Sequence, residues 1–365
     1  MERAELSALL HDELVRVRVS DPSKESIRQA HRRQREQRDE AERAWLAPRL
    51  TRLLNYFAES SEIDPTRTRP VLRPVRSSTI EGDLFRTATL LWSVPVSRGY
   101  GRRMRFLVID EANGRLMGLI ALGDPVFNLK CRDAWIGWSA ATRKERLSSV
   151  MDLYICGAVP PYSFLLGSKL VACLATSREV GDHFREKYTG STGIISGKSK
   201  PAELLVVTTT SALGRSSLYN RLRLSTCPRT EFRRIGFTEG WGHFSVSDDL
   251  FMRLRRHLIS EDHKYANGHS FGTGPNWRLR TIRAAMKSLG VDDGLLKHGI
   301  QREVFAAELS PTSCEQLRTG VQGSAIRPTV REISEVAIDR WIRPRYERRG
   351  LEPWTRSDIE SLFPS

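Results

Sequence analysis

The rhythm of apolar and polar residues changes several times along this chain of 365 residues. Residues 2–17 and 24–57 are rich in helix formers, with Glu-to-Arg neighbours at helical spacing, and predict two helices. In the second, apolar side chains gather only at Trp45, Leu46, Leu50, Leu53, Leu54 and Phe57. That end is expected to dock on the body while the earlier turns stay solvated. Residues 60–78 hold three prolines and no periodicity, which predicts a linker and a domain boundary. Beyond it, 84–94 predicts a strand. The apolar runs 103–110 and 115–124 flank Glu111 to Gly114 and predict a hairpin with an Asn-Gly signal. A helix over 141–151, a strand over 152–159, apolar and charged helices over 162–177 and 182–190, and a strand over 202–210 follow. Residues 232–249 read as two short strands around Glu239 and Gly240. Residues 274–290 predict a helix punctuated by Gly-Pro and Gly290, 302–309 a strand, and 326–350 a helix broken before Pro344.

Helices between apolar strands imply an α/β core with a mixed sheet and at least one right-handed crossover. Three regions are expected: helical 1–60, an α/β core over 61–250, and a basic, mostly helical 251–365. Apolar residues make up 39% of the chain, enough for a sizeable core. No apolar run reaches the length of a membrane span, and the charged N-terminus lacks the apolar centre of a signal peptide, so a cytoplasmic protein is expected. The five cysteines are odd in number and form no CxxC pair. The histidines form no HExxH, and His257, His263 and His269 recur at a spacing of six, off any single helical face. Neither a metal nor a cofactor is expected.

Net charge is +15, which suits a polyanionic partner, because Lys and Arg release counterions from phosphates. Residues 1–60 carry 12 basic and 11 acidic side chains, so the surplus lies further on. The stretch "TTTSALGRSSLYNRLRL", Thr208 to Leu224, has two readings. It is either a strand–turn–helix junction with Ser216 or Ser217 as helix cap, or an anion site where Arg215, Asn220, Arg221 and Arg223 meet free helix N–H groups. "GFTEGWGHF" offers Phe237, Trp241, His243 and Phe244 for stacking on unpaired bases, or for the core. The helix with Trp277, Arg278, Arg280, Arg283 and Lys287 is either a basic patch for nucleic acid or a solvated face. Trp135 and Trp138 read as core. Asp110, Glu111, Asp124 and Asp133 are scattered carboxylates that could serve a metal-dependent nuclease or simple turns. Ser211, Ser216 or Ser217 with His243 and Asp248 or Asp249 would make a triad, though no GxSxG elbow exists.

The stretches "GLIALGDPVFNLKCRDAWIGWSAATRKERL", "TTTSALGRSSLYNRL", "GFTEGWGHF", "FGTGPNWRLRTIRAAMKSLG" and "LKHGIQREVFAAEL", in that order, resemble DruA-type proteins of the Druantia anti-phage systems. The resemblance implies bacterial defence, other Druantia subunits as partners, and work beside a large helicase. A looser likeness is to the GNAT acetyltransferase fold, whose tyrosine-bearing helix and Gly-Phe strand start resemble "SSLYNRL" and "RRIGF". It implies a general acid at Tyr219. The likeness breaks at "PPYSFLLGSKL", where prolines and bulky residues stand in place of the glycine-rich turn that cradles a pyrophosphate. The expected function is therefore a DNA-binding, non-acetylating subunit of a defence complex on a GNAT-like core. Its nucleic-acid contacts would be Arg215, Asn220, Arg221, Arg223, Trp241, His243, Trp277, Arg278, Arg280, Arg283 and Lys287. A nuclease, an acyltransferase acting through Tyr219, and a scaffold are the alternatives, and self-association stays open.

Overall fold

A computed structural model describes residues 3–16, 23–96, 101–192, 197, 199–243, 245–267, 275–323 and 326–364. Phe244, His269 and the residues 271–274 that open the fourth of those stretches lie outside the described residues. The chain divides into two compact units. One comprises Met1–Glu36, Ala212–Arg215 and Phe237–Arg302; the other comprises Gln37–Ser211, Ser216–Gly236 and Glu303–Ser365.

The larger unit is built on a mixed sheet. Its strands, in chain order, are β1 (Pro70–Pro74), β2 (Arg103–Asp110), β3 (Arg115–Gly123), β4 (Val150–Ala158) and β5 (Val206–Thr210). A two-residue ribbon follows, β6 (Arg223–Leu224) with β7 (Thr230–Glu231), and then β8 (Arg233–Phe237) and β9 (Glu303–Glu308). The sheet order is β1-β2-β3-β4-β5-β9-β8. β4 and β5 run parallel, with Asp152 opposite Thr208, and the helices Gly167–Leu174 and Arg178–Tyr188 lie between them in sequence. The expected hairpin is present, and Gly114 takes the positive φ of 73° that its turn requires.

One face of the sheet buries Met104, Phe106, Leu153, Val207 and Phe305 against Leu170, Val171 and Leu174 of Gly167–Leu174 and Ile333 and Ala337 of Val330–Ala337. The other buries Leu107, Leu119 and Ile155 against Leu53, Leu84, Phe85 and Ile359. Each such side chain stabilises the fold by roughly 1.5–3 kcal/mol, which makes this core the main source of stability.

Several sequence expectations are corrected. The linker over 60–78 contains β1, an edge strand paired with β2, and the edge tolerates Pro70 and Pro74 at the strand's two ends. The strand expected over 84–94 is instead the helix Ile80–Thr89. Thr79 Oγ1 caps it by accepting from Gly82 N at 3.3 Å, and Leu84, Phe85 and Ala88 share its buried side. The long helix over 24–57 is three, Lys24–Ala30, Arg32–Leu46 and Leu50–Leu54. The helix expected from residue 162 starts at Gly167, because Leu166 sits at a φ of 62° after a single 3-10 turn. Among the described residues of 232–249 there is one strand, β8, rather than two. The helix over 326–350 carries a π turn at Ile338–Ile342, and Pro344 lies in the first turn of Arg343–Arg349.

The smaller unit packs helices Arg3–Arg16, Asp248–Ser260 and Pro275–Leu289 through leucines at helical spacing, Leu6, Leu10 and Leu14 with Leu250, Leu254 and Leu258, and through Ile282 and Met286. The Glu13 carboxylate accepts from the N–H (2.9 Å) and the hydroxyl (3.0 Å) of Ser247, the N-cap of the second helix.

Candidate nucleic-acid interface

After β5 the chain does not enter a helix. Ser216 Oγ accepts from the N–H groups of Leu218 (3.1 Å) and Tyr219 (2.9 Å), and Leu222 N donates to Tyr219 O at 3.1 Å. Arg221 takes the left-handed conformation at a φ of 59°, which turns the chain out of any helix and into β6. The helical spacing of Leu218, Tyr219 and Leu222 is satisfied by a compact turn on the core. The Tyr219 ring lies 5.3 Å from Phe232 and 5.5 Å from Phe305.

The proposed helix N–H groups for an anion are therefore absent, and the chain supplies its own anion. Ser216 N donates to Glu303 Oε2 at 2.8 Å, and the same carboxylate pairs with Arg234 at 3.2 Å. Glu303 and Arg234 were not singled out from the sequence, because their partners are some 70 to 90 positions away. What remains outward is Asn220, Arg221 and Arg223, all exposed. Leu222 is buried between the two arginines, so both guanidinium groups lie on the solvent side. Among the described residues neither arginine has an ion-pair partner. Arg215 is also exposed, but it belongs to the smaller unit.

In the smaller unit the predicted residues separate. Trp277 is buried, packs edge-on against Phe251 at 5.5 Å and donates its indole N–H to Tyr265 O. Arg278 pairs with Asp248 at 2.8 Å, donates to Val246 O at 2.7 Å and lies 4.3 Å over the Phe251 ring. Both are structural. Arg280, Arg283 and Lys287 are exposed on one face of their helix, and Arg283 pairs with Asp293 at 2.7 Å. Trp241 is 45% exposed. His243 is half-buried, and burial with the nearby Arg278 lowers its imidazole to about 4, which keeps it neutral.

Tyr219 is enclosed. Burial holds its phenol well above the ordinary range, and its hydroxyl bonds with Thr209 and Cys156. In the loop Pro160–Leu170, the N–H groups of Ser163 and Phe164 donate to the carbonyls of Val159 and Pro161 at 3.0 Å. The carboxylates considered for a nuclease each have work within the fold. Asp110 accepts from Tyr162 Oη (2.9 Å) and Arg69 N (2.9 Å); Glu111 pairs with Arg69; Asp124 pairs with Arg102. Burial would raise the Asp133 carboxyl, but bonds from Arg132, Arg143 and Trp138 outweigh it and hold it below its ordinary range.

These features define a mixed α/β protein whose surplus of positive charge includes exposed arginines with no ion-pair partner among the described residues. The chain belongs to the DruA family: the family model described as Druantia protein DruA matches residues 21–319. The chain is also similar to the Druantia protein DruA of Escherichia coli (strain UMEA 4076-1), 50% identical over 340 residues, 92% of this chain and 84% of that protein. No solved structure matches. Membership makes the protein a component of a Druantia anti-phage defence system, which has other subunits. Among the described residues no helix is long and apolar enough to cross a membrane.

Proposed function

We propose that this protein is the DNA-binding subunit of its Druantia system, acting in the cytoplasm beside the large helicase subunit and gripping the phosphate backbone without acetylating or cutting its partner. The observation that carries the reading is the turn of Asn220, Arg221 and Arg223. Two exposed guanidinium groups, without carboxylate partners among the described residues, stand on a base fixed by Ser216, Tyr219 and Glu303. An arginine offers five N–H donors in a planar fork that fits two phosphate oxygens, and a fixed base lowers the ordering cost of the contact. Arg280, Arg283 and Lys287 supply a second basic face. The pair of Arg283 with Asp293 is exposed on both sides, so exchanging it for a phosphate costs little.

The test is binding of the full chain to duplex, single-stranded and forked DNA at two salt concentrations. The wild type is expected to lose affinity steeply with salt, and Arg221→Ala/Arg223→Ala to reduce the log–log slope by about 2, one per lost phosphate contact. A wild type with no salt-sensitive binding to any form overturns the reading and leaves a scaffold in its place.

A further inference from the structure

The loop before the helix Lys130–Ile136 holds two apolar residues in solvent, Val126 at 52% and Phe127 at 47% exposure. Beneath them lies Arg132, a guanidinium with no exposure at all. Its Nη1 donates to Val126 O at 2.7 Å and its Nη2 to Phe127 O at 2.9 Å. Its Nε (2.9 Å) and Nη2 (2.7 Å) also donate to Asp133 Oδ1. Asp133 is held in turn by Arg143 (2.7 Å) and by the indole N–H of Trp138 (3.0 Å). Burying a guanidinium carries a large desolvation cost, which a carboxylate and well-placed carbonyls offset only with good geometry. Here that geometry fixes two successive carbonyls of a loop whose side chains face outward. Exposure of the tip is therefore built in, since the backbone is tied down and the side chains cannot fold back onto the core.

A cation sits against the tip. The Arg143 guanidinium lies 4.6 Å over the Phe127 ring, and Lys130 and Lys144 are exposed on the flanking helices, against Glu145. Asp124 and Asp133 are engaged by Arg102, Arg132 and Arg143. An apolar point with a guanidinium over its ring and exposed lysines on the next two helices suits a nucleic acid better than a neutral or basic protein surface. Side chains such as Phe act as wedges between base steps, and aromatic rings stack on unpaired bases of any sequence.

We infer that the Val126–Phe127 tip is a wedge that stacks on an unpaired or unstacked base of bound DNA. The inference rests on the DNA-binding reading above and names the DNA feature that the protein selects: a disrupted base stack.

The test uses the full chain with two duplexes, one perfect and one with a single-base bulge, each carrying 2-aminopurine beside the bulge position. Anisotropy reads affinity, and 2-aminopurine emission reads unstacking. The wild type is expected to prefer the bulged duplex by about tenfold, the worth of one base–aromatic stack, and to raise the emission on binding. Val126→Ala/Phe127→Ala should lose the preference and the emission rise while keeping its affinity for the perfect duplex. Phe127→Leu should recover part of both. Because both side chains are exposed, the melting temperature of the variants should match the wild type, which separates loss of the wedge from loss of the fold. A wild type that binds without preference or emission change, or a double variant that keeps both, overturns the wedge alone. A wild type that binds no DNA overturns the DNA-binding reading and the wedge with it.

Discussion

Ser216 gives its backbone N–H to the carboxylate of Glu303 at 2.8 Å. A turn rich in serine and arginine, which reads from sequence as a phosphate cradle, thus carries a resident carboxylate at its base. The second oxygen of Glu303 takes Arg234. Replacing Glu303 by Gln leaves one of these two donors facing an amide NH2 in a buried position. Glu303→Gln is therefore expected to destabilise the protein by about 1–3 kcal/mol. Urea unfolding checks it: the midpoint should fall with the slope unchanged. An unchanged midpoint would mean that Glu303 does not anchor the turn.

The helical spacing around Tyr219 shows why the fold was more legible than the site. Strands such as Glu303–Glu308 and helices such as Pro275–Leu289 follow from local periodicity and Gly or Pro punctuation, and both are present. The segment from Ser211 to Leu222 has apolar residues at helical intervals too. Its conformation is decided by groups distant in sequence, Glu303 and the rings of Phe232 and Phe305. The same holds for Trp277 and Arg278: composition marks them as a basic, aromatic patch, while contacts with Phe251, Asp248 and Tyr265 draw them into the unit's core. Arg132 carried a local signal, an arginine beside an aspartate ahead of the apolar Ala134, Trp135 and Ile136, but nothing local shows that its fork reaches back to two loop carbonyls.

Arg221 separates binding from stability. Its left-handed backbone is strained for any residue with a Cβ, whereas glycine adopts it freely. Arg221→Gly is expected to keep stability or raise it by up to about 1 kcal/mol, while Arg221→Ala, exposed and still strained, should stay within about 0.5 kcal/mol of wild type. Both should weaken DNA binding alike. If Arg221→Gly binds DNA as tightly as wild type, the guanidinium is not a contact.

Tyr219 is expected to behave as a core residue. Tyr219→Ala should cost about 3–5 kcal/mol by opening a cavity between Phe232 and Phe305, and Tyr219→Phe about 1 kcal/mol for the lost hydroxyl bonds. Coenzyme A should leave the melting temperature of the wild type where it is. A rise would signal binding by mass action and reopen an acyltransferase role for the loop Pro160–Leu170.

Asp152 sets the expected pH dependence. Burial raises its carboxyl from 3.8 to about 6, against the opposing pull of the Thr208 hydroxyl at 2.9 Å and of Arg132. With a folded value above the unfolded one, the folded protein holds a proton between pH 4 and 6 that the unfolded chain has released. Stability from this group is therefore present at low pH and is lost as pH rises through about 6. The loss is on the order of 3 kcal/mol. Asp152→Asn keeps an acceptor for Thr208 and removes the charge, so it should match wild type near pH 4 and exceed it near pH 7.5. Melting temperatures of the two proteins across that range isolate the effect, because every other group titrates in both. A variant less stable than wild type at pH 7.5 would reverse the sign. It would mean that ionised Asp152 is held by Arg132 strongly enough to stabilise the sheet, and that the guanidinium beneath the Val126–Phe127 loop depends on two carboxylates rather than one.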